Sequence, residues 1–220
     1  MSAKSSSTFA PVNIKIGSNM IFFAGIITQL AATDEKLLLL LNRWHTPFLD
    51  QLMWMVSDKW VWVPLYVLLA GLIVRRYSWK CGLLCLLIVV LAVAATDQTC
   101  ASLLRPLVER LRPSNPNNSI STAIHIINGY RGGRFGFPSC HAANSCALAV
   151  FVSCCFRRMV VTLFMLAWAV VVAYSRIYLG VHYPGDIVAG MMIGGLYGSL
   201  FYGIYCKILL FQKRDINNER

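Results

Sequence analysis

The stretch MVVTLFMLAWAVVVAYSRIYLGVHYPGDIVAGMMIGGLYGSLFYGIYCKILLF, residues 159–211, decides the fold. Two apolar runs, 159–174 and 187–211, flank a segment that holds Arg176, His182 and Asp186. A helix needs about 20 apolar residues to cross the hydrocarbon of a bilayer. Both runs read as such helices, and ionisable groups at membrane depth mark function by default.

Further apolar runs lie upstream, at 60–74, at 81–95 and on towards Leu104, and at 146–156; the run at 19–32 is shorter and could span or lie at the interface. The chain has 220 residues, 57% apolar and 13% charged, against about a quarter charged in soluble domains. These runs predict an all-α, polytopic membrane helix bundle of five to six transmembrane helices. Residues 1–18 read as a polar N-terminal segment, 19–211 as a single membrane domain and 212–220 as a cytoplasmic tail. Residues 33–56 carry Trp44 and Trp54 and read as an interfacial helix, and Trp60, Trp62 and Trp79 suit headgroup depth near span ends.

The net charge of +11 would suggest nucleic acid in a soluble protein, but its distribution argues against that partner. Lys4, Lys15, Arg75, Arg76, Lys80, Arg157, Arg158, Lys207, Lys213 and Arg214 sit beside span ends. Threading the spans alternately puts them on one side, the cytoplasmic one by the positive-inside rule. Arg105, Arg110, Arg112, Arg131, Arg134 and Arg176 fall on the other side, where anion binding gives them a reason. The eight cysteines show no CxxC or Cys/His spacing and read as small packing residues. Asp97, within a span, either pairs with an arginine or is a lone acid in a helix–helix hydrogen bond. The acids are too scattered for a magnesium site, so neither metal nor cofactor is expected.

Three clusters share the extracytoplasmic side. Arg105 and Arg112 in RPLVERLRP (105–113) are seven residues apart and would share one helix face. Segment 105–137 is otherwise rich in Gly, Pro and Asn and reads as a long functional loop. Ser139 and His141 in FGFPSCHAANS (135–145) open an apolar helix, whose N-terminus suits an anion. His182 and Asp186 are four residues apart, so the carboxylate can accept the imidazole N–H and fix its tautomer.

Arg105–x6–Arg112–Pro113, then Pro138–Ser139–Cys140–His141, then Ser175–Arg176–x3–Gly180–x–His182–x3–Asp186 resembles the three-part signature of the type 2 phosphatidic acid phosphatase superfamily. Two positions depart from it: Arg105 stands where Lys is usual, and Cys140 where Gly is usual, so that the thiol would crowd the phosphate. The resemblance implies a membrane phosphohydrolase with its active site at the extracytoplasmic surface. In it, His182 is the nucleophile, Asp186 its orienting partner and His141 the general acid and base. Arg105, Arg112, Ser139, Cys140 and Arg176 bind phosphate. The small size and RGGRFGFPSCHAANS look most like bacterial inner-membrane members that face the periplasm and act on lipid A phosphates or undecaprenyl diphosphate. Its partners are then a lipid-phosphate substrate and membrane lipids. A lipid phosphotransferase, or a non-catalytic phospholipid binder or transporter, are the alternatives. Arg110, Arg131 and Arg134 are expected to add cations for a polyanionic headgroup.

Overall fold

The computed structural model of the protein describes residues 18–218, with side chains over 25–212. The expected polar segment 1–18 falls almost wholly outside the described residues, as do the side chains of the tail beyond Gln212. The chain divides into two units, 1–33 and 34–220. The described part of the first is helical throughout.

The elements are α1 (Ser18–Asn42), α2 (Pro47–Ser57), a 3₁₀ turn (Lys59–Trp62), α3 (Val63–Arg76), α4 (Trp79–Gln98), a π turn (Thr99–Leu104), α5 (Arg105–Val108), a second 3₁₀ turn (Ser121–Ala123), α6 (Cys140–Phe156), α7 (Met159–Tyr178) and α8 (Pro184–Asn218). Among the described residues there is no strand, only an antiparallel bridge between Leu111 and Phe135. Trp79–Val108, Met159–Tyr178 and Pro184–Gln212 are each long and apolar enough to cross a membrane. Pro47–Ser57 and Lys59–Arg76, bent by 69°, add a fourth crossing if the pair is one span, and Cys140–Phe156 is a shorter apolar helix.

The separate segments expected at 19–32 and 33–56 are divided elsewhere. One helix runs through Thr33–Lys36 to Asn42, because Glu, Lys and Leu are good helix formers and no Pro or Gly interrupts them. The break comes at 43–46, where the Thr46 hydroxyl accepts from Leu49 N–H at 3.2 Å and Pro47 fills the first turn of α2, a position that needs no amide donor.

Helix α6 is the hub, packed by α4, α7 and α8. Its contact with α8 rests on small residues. Gly190, Gly194 and Gly198 repeat every four residues, and a Cβ on each would stand 2.5 Å from Ser139 O, 2.1 Å from Ala143 O and 2.6 Å from Ala147 O. Without side chains there, the two backbones approach closely, which is how apolar helices gain packing contacts in a membrane. Ala142, Ala143, Ala147 and Ala149 on α6 are fully buried. This packing fixes the starts of α6 and α8, where His141 and Asp186 lie.

Candidate active site

The 179–183 turn between α7 and α8 carries His182. Gly180 sits there at φ +67, and a Cβ on it would stand 2.4 Å from Ile124; glycine alone fits both demands. His182 is 1% exposed and Asp186 0%. His182 Nδ1 lies 3.3 Å from Asp186 Oδ2, and its Nε2 lies 2.9 Å from Arg112 Nη1. A guanidinium can only donate, so Nε2 is the acceptor and the ring proton sits on Nδ1, facing the carboxylate. Burial, then the charges of Arg112, Arg176 and Arg105, holds the His182 pKa well below its ordinary value. The imidazole is therefore neutral near pH 7, with its lone pair among cations.

Asp186 is held on every side. Its Oδ2 also accepts from Tyr183 N–H at 3.0 Å, and its Oδ1 from Arg110 Nη1 at 2.8 Å. Arg110 Nη2 donates to Asp34 Oδ2 at 2.6 Å, and Gly185 N–H donates to Asp34 Oδ1 at 2.7 Å. The Arg110 guanidinium also lies 3.8 Å from the centre of the Tyr183 ring. Arg110 is therefore not the free headgroup cation expected from the sequence: both ends of its fork are spent on carboxylates. Asp34 was not anticipated. The signal available was the TDEK interruption (33–36) in an otherwise apolar helix.

The expectation that Arg105 and Arg112 share a helix face is overturned, though both reach the site. Helix α5 ends at Val108, and Glu109 turns left-handed at φ 50. The chain then folds back as an extended loop, with Arg112 N–H donating to Arg134 O at 3.1 Å and Gly136 N–H to Arg110 O at 2.8 Å. Arg112 is brought to His182 by this loop, not by helical periodicity, and it also donates to Phe135 O and Val181 O, each at 3.1 Å. Burial and the neighbouring charges of Arg105 and Arg176 push its pKa down to about 10. Three guanidiniums crowd one another here, and a bound dianion would relieve that.

Arg105 Nη2 donates to Cys140 Sγ at 2.9 Å, while its Nε is buried with no partner. Arg176 donates to the Ser57 hydroxyl and, at 3.4 Å, to Tyr130 Oη; its Nε is likewise buried and unpaired. Neither Ser57 nor Tyr130 was singled out from the sequence. Arg131 donates to Ser114 O at 2.6 Å, and Arg134 lies over the Phe135 ring. Ser139 caps α6, its hydroxyl accepting from Ala142 N–H at 3.5 Å. The Ser139 N–H donates to Asp186 O at 3.0 Å, tying the start of α6 to that of α8.

His141 and Cys140 line a cavity of about 920 Å³ that runs among α2, α3, α4, α6 and α7. Its walls are mostly apolar and include Leu69, Val89, Leu148 and Val172. Asp97 and Asn144 also line it, and Asn144 Nδ2 donates to Asp97 Oδ1 at 2.8 Å, the second of the two readings of that acid. Among the described residues no three His, Cys, Asp or Glu side chains cluster as a metal site would need.

A model of the PAP2 superfamily matches residues 82–208, which hold all three clusters. The chain belongs to that superfamily. It is 48% identical to a lipid A 4'-phosphatase of Bacteroides thetaiotaomicron over 83% of this chain and 81% of that one. A lipid A 4'-phosphatase of Porphyromonas gingivalis is 34% identical over 78% and 72%. The fold is similar to that of the first transmembrane PAP2-type phosphatidylglycerolphosphate phosphatase from Bacillus subtilis, with TM-score 0.62 and 24% identity over 82% of this chain and 88% of that one. The chain is thus a phosphatase and a multi-pass membrane protein.

Proposed function

We propose that the protein hydrolyses a lipid-linked phosphate through a phosphohistidine intermediate, with a lipid A phosphate as substrate. The observation that carries this reading is His182, neutral and held between Asp186 and Arg112. Arg112 passes its N–H from His182 Nε2 to a phosphate oxygen, and the freed Nε2 attacks phosphorus as the bond from phosphorus to the lipid oxygen breaks, while His141 gives its proton to that oxygen. His141 then takes a proton from water, whose oxygen attacks phosphorus and releases His182. Asp186 stabilises the positive imidazole between the two steps. The guanidiniums of Arg105, Arg112 and Arg176 and the start of α6 at Ser139–Cys140 hold the phosphate oxygens and the charge of the transition state. The cavity beside His141 would receive the apolar part of the lipid.

The choice of lipid A over undecaprenyl diphosphate rests on the two lipid A 4'-phosphatases among the relatives; a relative at 28% identity is an undecaprenyl-diphosphatase. The placement we infer is a bacterial inner membrane, with five to six spans and the active site facing the periplasm. It is supported by the basic residues beside the opposite ends of the spans. The test is phosphate release by the purified protein from lipid A 4'-phosphate, undecaprenyl diphosphate and phosphatidate. Wild type is expected to turn over lipid A best, with no loss in chelator, and His182→Ala to turn over none. Full activity of His182→Ala would overturn the assigned nucleophile. Phosphate transfer to a lipid acceptor in place of release would make the protein a phosphotransferase.

A further inference from the structure

We propose that Asp97, oriented by Asn144, is a specificity-determining residue that accepts a hydrogen bond from the amide of an N-acylated amino-sugar phosphate. The proposal rests on the phosphatase reading above and deepens it. Among the described residues, Asp97 is the one carboxylate in the lining of the cavity. Both oxygens of a carboxylate can accept hydrogen bonds. Asn144 occupies Oδ1, and among the described residues no protein group donates to Oδ2. A bound lipid must therefore supply a donor there or leave a carboxylate facing apolar chain, which costs affinity.

The position matches one class of lipid. Asn144 follows His141 by three residues on α6, so the two side chains are neighbours about 5–6 Å apart at Cβ, with Asn144 one turn deeper. In a 2-acylamino sugar 4-phosphate the amide N–H is three bonds along the ring carbons from the phosphorylated carbon, a reach of that order. The acyl chain continues from the amide into the cavity. Glycerol diesters and polyprenyl phosphates offer no donor at that depth, because their linkages carry acceptors or nothing polar. Site preference for a donor follows the rule that a buried group built to be hydrogen-bonded discriminates against analogues that cannot pair with it.

The test uses two synthetic glucose 4-phosphates, 2-N-acylated and 2-O-acylated with the same chain, so that they differ in one N–H. Wild type should favour the amide by about tenfold in kcat/KM, the worth of roughly one hydrogen bond. Asp97→Asn keeps an oxygen for Asn144 but turns an N–H₂ towards the lipid, and should erase that preference while still turning over the ester, which reports a folded enzyme. Equal rates on the pair in wild type, or an undiminished preference in Asp97→Asn, or equal loss on both substrates, overturns the proposal. If both sugars are inert while undecaprenyl diphosphate is cleaved, the sugar-lipid substrate and this proposal fall together and the phosphatase reading stands. If no lipid phosphate is cleaved, the phosphatase reading fails as well.

Discussion

Asp34 stands 2.6 Å from Arg110, so a carboxylate of α1 is tied to the guanidinium that also holds Asp186. Asp34 accepts from Gly185 N–H as well, which makes α1 a brace for the turn that carries His182. Asp34→Ala should lower kcat by about tenfold, some 1.4 kcal/mol of barrier, with less effect on KM, because the lost contacts position His182 and touch no phosphate. Asp34→Asn keeps an acceptor for Gly185 and should fall between. Steady-state kinetics on a soluble phosphate separates these outcomes from an unchanged kcat, which would remove Asp34 from the supporting frame.

The pKa of His182 predicts how stability changes with acid. Its folded value lies well below the ordinary 6.5, so the unfolded chain binds a proton that the fold refuses. The contribution is whole above pH 6.5 and is lost as the pH falls below it, at up to about 1.4 kcal/mol per pH unit. His182→Asn should therefore flatten the fall of the thermal midpoint in detergent between pH 7 and pH 5. A variant as acid-labile as wild type would show that the imidazole is not held neutral.

The contact of α6 with α8 predicts a graded series of glycine substitutions. A Cβ at Gly194 meets backbone at 2.1 Å, whereas one at Gly195 finds its nearest neighbour at 3.9 Å. Gly194→Val should destabilise by about 3 kcal/mol or prevent folding. Gly195→Ala should be neutral, or slightly stabilising through helix propensity. Thermal midpoints of the two variants in detergent decide it; similar values would mean that the helices are packed through other residues.

Much of this was legible in the sequence because membrane depth makes charge conspicuous. His182, Asp186, His141 and Arg176 stand out against apolar runs, and the helical start at Ser139 is written in its capping chemistry. Asp97 could be read for the same reason. Arg105 and Arg112 reach Cys140 and His182 by a route their seven-residue spacing does not suggest, since that spacing implies one helix and the chain instead turns at Glu109. The function given to Arg110 failed because its partner Asp34 lies 76 residues away, and no local pattern encodes so distant an ion pair. Ser57 and Tyr130 were invisible for the same reason: neither a lone hydroxyl in a helix nor a tyrosine in a glycine-rich loop has a periodicity to betray it. The boundary expected between residues 32 and 33 was misplaced, because a short charged interruption reads like a boundary although its residues favour helix.

The π turn at Thr99–Leu104 sets the azimuth of everything after it. Arg105 N–H closes this turn on Cys100 O, five residues back, instead of the four of an α-helix. One residue is worth about 100° of rotation around a helix. Removing a single residue here would let the segment relax into regular α-helix and swing the Arg105 side chain away from Cys140, although every residue of the three clusters would still be present. The segment thus makes chain length a variable separate from residue identity. Exchanges such as Ser102→Ala should pass almost unnoticed, whereas loss of Ser102 altogether should disarm the site while leaving the apolar spans intact.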